Sequence, residues 1–244
     1  MHDLLKIHRG CKLDTISLAK DLVAIRSDPP YADESRVLTY LLELFDSLGY
    51  KSILQDANGL KDRQNLLVLN QDPENIENKT KKPNGLLFAG HMDVMPPGDL
   101  DAWPRKPFEP WIDDEGLLHG RGSTDMKGGI AAFISAFLNN KLLQKSKDSS
   151  ENGNLVGLLF TVDEETALRG AKTFAESKYA GYFASAIVPE PTALIPVRGH
   201  KGVLFTRFIT RGLAAHGSVP KKGVNAITLA MELYREIESL FKKE

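Results

Sequence analysis

The chain has 244 residues, of which 42% are hydrophobic and 26% are charged, so it can bury the core of one medium-sized domain or slightly more. Its 31 Lys and Arg residues and 32 Asp and Glu residues give a formal net charge of -1, which argues against a protein that binds nucleic acid or anionic membranes through bulk charge. The single cysteine, Cys11, excludes an internal disulfide framework and a multi-thiolate metal site, and the lack of a long apolar run or a signal-peptide pattern predicts a soluble cytoplasmic protein.

Two amphipathic helices are predicted near the N-terminus. Asp14 or Thr15 can cap the first helix, which carries apolar residues on one face and ends before Pro29. The second helix is expected to begin near Ala32 and to end at Gly49, a residue suited to the left-handed conformation at a helix C-terminus. The apolar faces contain Leu18, Leu22 and Ile25 in the first helix, and Val37, Leu41, Leu44 and Leu48 in the second.

Short apolar runs alternate with helices in the rest of the chain. The runs have four to seven residues and are bounded by turn formers, as expected for strands buried on both faces of a sheet. A helix of about 18 residues is predicted from Asp125. Strands separated by helices indicate an α/β fold with a mostly parallel sheet flanked by helices. The four runs are 66–69, 86–89, 156–162 and 184–188.

The character of the chain changes after about Val197. Two polar stretches before this point, 71–84 and 145–154, are predicted to be surface loops. After it, the sequence predicts one strand at 201–210, then a loop, and then one amphipathic helix at 224–241. The last part has one strand and one helix of a small α+β unit. The expected domains are 1–197 and 198–244.

Acidic side chains and one histidine follow the ends of three predicted strands. His91 and Asp93 come after the second run, Glu164 and Glu165 after the third, and Glu190 after the fourth. In an open parallel sheet, side chains beyond the carboxyl ends of the strands meet at one edge. We therefore expect these residues to lie close together.

Asp125 is expected to join this group, because a glycine-containing loop brings it to the start of a helix, where its negative charge is favoured. One imidazole with several carboxylates suits Zn²⁺, or Co²⁺ or Mn²⁺, and the cation would offset the repulsion between the carboxylates. Asp93 can orient the histidine ring. Of the adjacent Glu164 and Glu165, one can bind metal while the other acts as a base. A metal ion and a carboxylate base together are equipped for amide hydrolysis.

Other interpretations remain open on pattern alone. An acidic rim of the sheet without a metal would give the same pattern, and a loop histidine such as His216 carries no specific signal. A dinucleotide site is not supported, because Asp125 stands where the third glycine of the fingerprint should be and no strand immediately precedes the loop. A serine hydrolase is not supported either, since the sequence has no Gly-x-Ser-x-Gly motif.

Two long segments resemble the signature blocks of a known enzyme family. They are GHMDVMPPGD at 90–99 and GRGSTDMKGG at 120–129, and they are followed by DEE at 163–165 and by Glu190 with a proline after it. The sequence is similar to the dinuclear zinc amidohydrolases and metallopeptidases that include acetylornithine deacetylase, succinyl-diaminopimelate desuccinylase, aminoacylase and related carboxypeptidases. The likeness extends over nearly the whole chain from about Leu18.

The resemblance implies a role for each matching residue. His91 and Glu190 would bind one zinc ion, Asp125 would bridge two ions, and Glu165 would bind the second. Glu164 would be the general base that takes a proton from water. The resemblance also implies a catalytic domain of the zinc-exopeptidase kind at 1–197.

The family also has a smaller lid domain, which usually mediates dimerisation. The resemblance implies that 198–244 is the first part of this lid and that the full chain forms a homodimer. His216 would polarise the scissile carbonyl, typically in the partner subunit's site, and Asn225 would assist substrate binding. Asp93 would orient the histidine ligand of the first ion. The implied substrates are N-acyl amino acids and short peptides.

The sequence departs from the family pattern in one respect. Family members return from the lid to the catalytic domain, where a last histidine binds the second ion, whereas this sequence stops at Glu244. The first ion would have three protein ligands, and the second only Asp125 and Glu165. Three alternatives follow: a metal-dependent amidohydrolase, a truncated and inactive chain that acts only as a binding piece, and the N-terminal portion of a longer enzyme.

Overall fold

The structure, a computed structural model, describes residues 14–72, 84–140, 155–202 and 204–242. The chain divides into two compact units, Met1–Ile195 and Pro196–Glu244. The loop predicted at 145–154 lies outside the described residues, as does nearly all of the loop predicted at 71–84. Within the four described ranges, no helix is both long enough and apolar enough to cross a membrane.

The first unit is built on a five-stranded sheet of mixed direction. Its strands lie in the spatial order β1-β2-β6-β3-β7, and a separate two-stranded sheet consists of β4 and β5. β3 is parallel to both β6 and β7, while β2 is antiparallel to β1 and β6, so four of the five strands point the same way. This arrangement confirms the predicted α/β fold with a mostly parallel sheet. The strands are β1 (Ser52–Asp56), β2 (Gln64–Leu69), β3 (Gly85–His91), β4 (Trp111–Ile112), β5 (Leu118–His119), β6 (Val156–Thr161) and β7 (Phe183–Ile187).

Two features of the sheet differ from the sequence-based expectations. The run at 66–69 forms part of β2, but β2 is antiparallel to its neighbours because a turn joins it to β1. The strand β1 was not predicted from the sequence. The run at 184–188 was expected to be buried on both faces, yet most of β7 is exposed. The physical reason is that β7 is an edge strand, paired only with β3 in the described part of the sheet.

Three helices cover one face of the sheet. The carboxylate of Asp14 caps the first of them as predicted, since it accepts a hydrogen bond of 2.9 Å from the backbone N–H of Ser17. The second begins at Ser35 rather than near Ala32, and Leu48 lies beyond its end and is exposed. The helices are α1 (Thr15–Ala24), α2 (Ser35–Ser47) and α3 (Gly128–Asn139). The core under them includes Leu22, Val37, Leu41, Phe137, Leu158 and Phe160.

The opposite face of the sheet carries a smaller core. Because side chains alternate along a strand, Leu66 of β2 points to the first core and Leu67 to the second. The helix α5 (Arg169–Ala175) covers this second face and contributes Phe174 to its core. A one-turn helix, α4 (Glu164–Ala167), connects β6 to α5. With layers on both faces, the central strands are apolar on both sides.

In the part that the structure describes, the second unit contains one α-helix, α6 (Ala226–Phe241). The side chain of Asn225 caps this helix by accepting hydrogen bonds from its first turn. The strand predicted at 201–210 is not formed in the described residues of that stretch. A strand needs a hydrogen-bonded neighbour, and the antiparallel bridge of this unit joins Leu213 to Val224 instead.

Candidate metal centre

Three parallel strands end at one edge of the sheet, next to the residues that the sequence singled out. His91 is the last residue of β3, Glu164 and Glu165 follow β6, and Glu190 follows β7. Asp125 reaches the same place from the turn before α3. Because β3 lies between β6 and β7, the histidine has a glutamate-bearing strand on each side. The fold therefore collects the predicted ligands at the edge where ligands of open α/β sheets bind.

The imidazole of His91 is at the centre of this group. Its Nε2 atom lies 3.1 Å from a carboxylate oxygen of Asp125, 3.7 Å from one of Glu190 and 3.8 Å from one of Glu164. The His91 side chain is buried, whereas the three acidic side chains are 34% to 51% exposed. The ring therefore lies at the base of an acidic site that is open to solvent.

Two overlapping sets of ligand atoms are close enough to hold divalent ions. Ligand atoms of His91, Asp125 and Glu190 lie within 4.8 Å of one another, and so do those of His91, Glu164 and Glu165. One imidazole nitrogen with carboxylate oxygens is a donor set that fits Zn²⁺, Co²⁺ or Mn²⁺. The first set is the one that the family resemblance assigns to one ion. The second set groups Glu165 with Glu164 and His91, whereas the resemblance pairs Glu165 with Asp125. Both ions stay predictions.

Asp93 lies behind the site and is fully buried. Its backbone carbonyl is 2.9 Å from Nδ1 of His91, which fixes the ring and directs Nε2 toward the acids. Its carboxylate accepts hydrogen bonds from the backbone N–H groups of Glu164, at 3.2 Å, and Glu165, at 3.0 Å. Burial would raise the pKa of Asp93, but the His91 ring and these N–H groups outweigh it and lower the pKa. Asp93 thus contacts both the histidine ring and the turn that carries the two glutamates.

The electrostatics of the cluster favour a cation. Burial alone would lower the pKa of His91, but hydrogen bonds to carboxylates, first that of Asp125, raise it to about 11. Burial and the charge of Asp125 raise the pKa of Glu165 to about 7. Burial likewise raises the pKa values of Glu164 and Glu190. A divalent ion would therefore compete with protons for these side-chain atoms.

We expect Glu165 to make the metal-free chain less stable as the pH rises from about 4.5 to 7. The pKa of Glu165 is raised from 4.5 to about 7 in the folded chain, so the folded state keeps a proton that the unfolded state releases, and stability falls across this window. The expected loss is about 1 to 2 kcal/mol, less than the full shift gives, because the side chain is partly exposed. Thermal unfolding in the presence of a chelator measures it. In Glu165→Gln the stability should fall less over this pH range, whereas the exposed control Glu109→Gln should behave like the wild type. Equal losses of stability in the wild type and Glu165→Gln would contradict the assignment.

Asp125 lies in an irregular turn and not at the start of the helix predicted there. The turn is Ser123–Lys127, it contains a cis peptide bond between Asp125 and Met126, and α3 begins only at Gly128. The backbone of Asp125 is extended, with φ -120° and ψ 100°. The predicted helix start was therefore wrong. Asp125 lies before the helix with an extended backbone, and from this position its carboxylate contacts Nε2 of His91.

Lys127 is a buried residue that the sequence analysis did not single out. Its side chain is fully buried, and its Nζ atom donates a hydrogen bond of 2.6 Å to the backbone carbonyl of Ile25. Burial lowers the pKa of the amine to about 7. This contact ties the turn that carries Asp125 to the segment after α1. The available signal was a lone lysine just before an apolar helix.

Two residues with predicted roles lie in the second unit. His216 is exposed, and its Nδ1 atom lies 2.9 Å from the hydroxyl of Ser218. Asn225 caps α6 through its side-chain oxygen. The contacts of both residues are thus local, and their roles at the metal centre stay predictions.

Comparison with known proteins agrees with the resemblance seen in the sequence. Residues 87–234 match the family model described as Peptidase family M20/M25/M40. The chain is 33% identical over 229 residues to a probable succinyl-diaminopimelate desuccinylase of Staphylococcus epidermidis, a match that covers 94% of this chain and 52% of that protein. It is 34% identical over 206 residues to the acetylornithine deacetylase of Pasteurella multocida, with 84% and 49% covered. The chain spans about half the length of the curated relatives it matches.

A solved structure shows the same fold. The M20 family metallo-carboxypeptidase from Sulfolobus solfataricus superposes with a TM-score of 0.55 and 20% identity, over 72% of this chain and 37% of that one. The segment that matches the family model covers more than half of the chain and contains His91, Asp125, Glu165 and Glu190. On these grounds the chain belongs to peptidase family M20/M25/M40.

Proposed function

We propose that this chain carries the metal centre of a hydrolase that cleaves an amide bond in an N-acyl amino acid or a small peptide. The observation that carries the proposal is the position of His91 Nε2 among the carboxylates of Asp125, Glu190 and Glu164. Membership of the peptidase family supports hydrolysis. Two relatives named as a desuccinylase and a deacetylase support removal of an acyl group from an amino acid.

The proposed centre is dinuclear. His91, Asp125 and Glu190 would hold one ion, and Glu165 together with Asp125 would hold the other. Zn²⁺ is the proposed ion, with Co²⁺ and Mn²⁺ as substitutes, because one nitrogen and several oxygens form the donor set. A divalent ion in such a site lowers the pKa of water and polarises a carbonyl group.

Glu164 is the proposed general base. It follows β6 directly beside Glu165, and its side chain is 34% exposed, so that solvent reaches its carboxylate. Burial raises its pKa, which makes the carboxylate a better proton acceptor near neutral pH. In the proposed reaction Glu164 takes the proton of the attacking water and then gives it to the leaving amine. Asp93 keeps the backbone of Glu164 in place through its hydrogen bond to the N–H group.

The second unit contributes to the substrate side of the proposal. Residues 1–197 form the catalytic domain, and 198–244 form the first part of a lid that also joins two subunits of a homodimer. His216 stabilises the oxyanion that develops on the carbonyl, and Asn225 contacts the substrate. The protein acts on small molecules in the cytoplasm. The matching family segment extends to residue 234 and so includes His216 and Asn225.

A panel of amides tests the proposal. N-acetylornithine, N-succinyl-diaminopimelate, other N-acyl amino acids and dipeptides are each incubated with the chain and Zn²⁺, Co²⁺ or Mn²⁺. We expect hydrolysis of one of these groups, its loss after chelation, and its return when Zn²⁺ or Co²⁺ is added. Full hydrolysis after chelation would contradict the metal centre. If the chain binds metal but cleaves none of the amides, the hydrolase function is contradicted.

A further inference from the structure

The helical turn that carries Glu164 and Glu165 is held between two residues with unusual backbone conformations. Asp163 precedes α4 with φ 65°, and Leu168 follows it with φ 57°. Residues other than glycine rarely adopt these left-handed angles, and they persist only where the surroundings fix them. The N–H of Leu168 donates a hydrogen bond of 2.8 Å to the carbonyl of Asp163, which closes the turn. The direction of both glutamates therefore depends on what holds Asp163 and Leu168.

The side chain of Asp163 is fully buried and contacts two arginines. Arg169, the residue after Leu168, donates from Nε at 2.6 Å and from its second terminal nitrogen at 3.0 Å. Arg63, just before β2, donates at 3.1 Å. The ion pair therefore spans α4, from the left-handed Asp163 to Arg169, the residue that follows the left-handed Leu168.

Glu34 completes this group from the start of α2. Its carboxylate accepts two hydrogen bonds from Arg63, one of them 2.7 Å long, and one of 3.0 Å from the backbone N–H of Asp163. Glu34 is also buried, so two buried acids are matched by two arginines. We call Glu34, Arg63, Asp163 and Arg169 the Asp163 clamp.

The clamp and Asp93 hold the same turn from two sides. The carboxylate of Asp93 accepts hydrogen bonds from the backbone N–H groups of Glu164 and Glu165. The clamp holds Asp163, the residue before them. Buried ion networks contribute little net stability compared with apolar residues of similar volume, so stability alone does not account for four charges here. What the network supplies is a fixed geometry, with charge-assisted and bidentate hydrogen bonds.

We propose that the Asp163 clamp is a positioning device that fixes Glu164 and Glu165 for metal binding and proton transfer. This inference rests on the proposed function. None of the four clamp residues belongs to the groups of potential metal ligands among the described residues. In the proposal each acts through the backbone of the turn. Loosening the clamp is therefore expected to change both metal binding and the mobility of the turn.

Arg169→Gln is the main test, with Arg26→Gln as its matched control. Arg26 makes the same kind of pair with buried Asp28, with distances of 2.6 Å and 3.0 Å, and the two arginine side chains are 38% and 45% exposed. Titration of each chain with Co²⁺, followed by visible absorption, gives the Kd and a spectrum sensitive to coordination. We expect Arg169→Gln to weaken Co²⁺ binding about 10- to 100-fold and to alter the spectrum. Arg26→Gln should leave both unchanged.

Amide hydrogen exchange of the segment 163–168, measured without metal, is the second readout. We expect faster exchange in Arg169→Gln and in Asp163→Asn, which keeps a residue that tolerates the left-handed angle but removes its charge. Arg169→Lys, with one charge and a single donor group, should restore part of the protection and of the Co²⁺ affinity.

The outcomes separate the two proposals. Unchanged exchange and Co²⁺ affinity in Arg169→Gln, or equal losses in Arg169→Gln and Arg26→Gln, would overturn the clamp. If wild type binds no Co²⁺, the proposed function fails, while the exchange experiment still decides whether the clamp holds the turn.

Discussion

Glu164→Gln is expected to lower the rate of amide hydrolysis by about 10²- to 10⁴-fold, the usual contribution of a general base. Glutamine keeps the size of the side chain but cannot accept the proton of the attacking water. Metal binding should persist, because His91, Asp125, Glu190 and Glu165 remain. Initial rates on the amide found active in the panel and Co²⁺ titrations of the same samples measure the two effects.

The neighbouring residue provides the contrast for this prediction. Glu165→Gln, at the other carboxylate of the same turn, should weaken Co²⁺ binding, whereas Glu109→Gln, in an exposed pair with Lys106, should change neither property. The structure groups both glutamates with His91, so the two roles could be exchanged. Loss of metal in Glu164→Gln together with full metal binding in Glu165→Gln would show that exchange and contradict our assignment.

The position of the centre was predictable because it depends on local sequence patterns. β3, β6 and β7 are short apolar runs, and residues that can bind metal or move protons lie at the end of each run or within a few residues of it. Parallel strands share one carboxyl edge whatever their order, so His91, Glu164 and Glu190 could be brought together without knowing the topology. The distances and the hydrogen bonds of Asp93 to the glutamate turn needed the structure.

Other features depend on contacts between distant segments, which a single sequence does not reveal. The apolar residues of β2 look the same in a parallel or an antiparallel strand, and the turn from β1 decides the direction. Glu34 and Arg63 pair with Asp163 across 129 and 100 residues, and nothing in their local sequence indicates the pairing. The sequence therefore predicted which residues meet at the edge of the sheet better than which residues hold them in place.

Asp125→Ala is expected to weaken the binding of both ions, because this carboxylate is the one proposed to bridge them. The structure places it at the shortest distance from His91 Nε2 of the three acids measured there, 3.1 Å against 3.7 Å for Glu190 and 3.8 Å for Glu164. Removing Asp125 should lower the metal affinity by more than roughly 100-fold, which is the loss expected when a residue that only hydrogen-bonds to a metal ligand is removed. Metal content after dialysis against Zn²⁺ buffers measures the effect. Glu190→Ala should weaken the binding of one ion only.

The matched control for Asp125→Ala is Asp113→Ala. Asp113 also pairs with a histidine, since its carboxylate lies 2.7 Å from Nε2 of His119. This pair lies at the two-stranded sheet. Neither residue belongs to a potential metal-binding group among the described residues. Removing it takes away a histidine–aspartate contact of the same kind without touching the proposed ligands. If Asp125→Ala retains both ions, or if Asp113→Ala loses as much metal as Asp125→Ala, then Asp125 is not the bridging ligand.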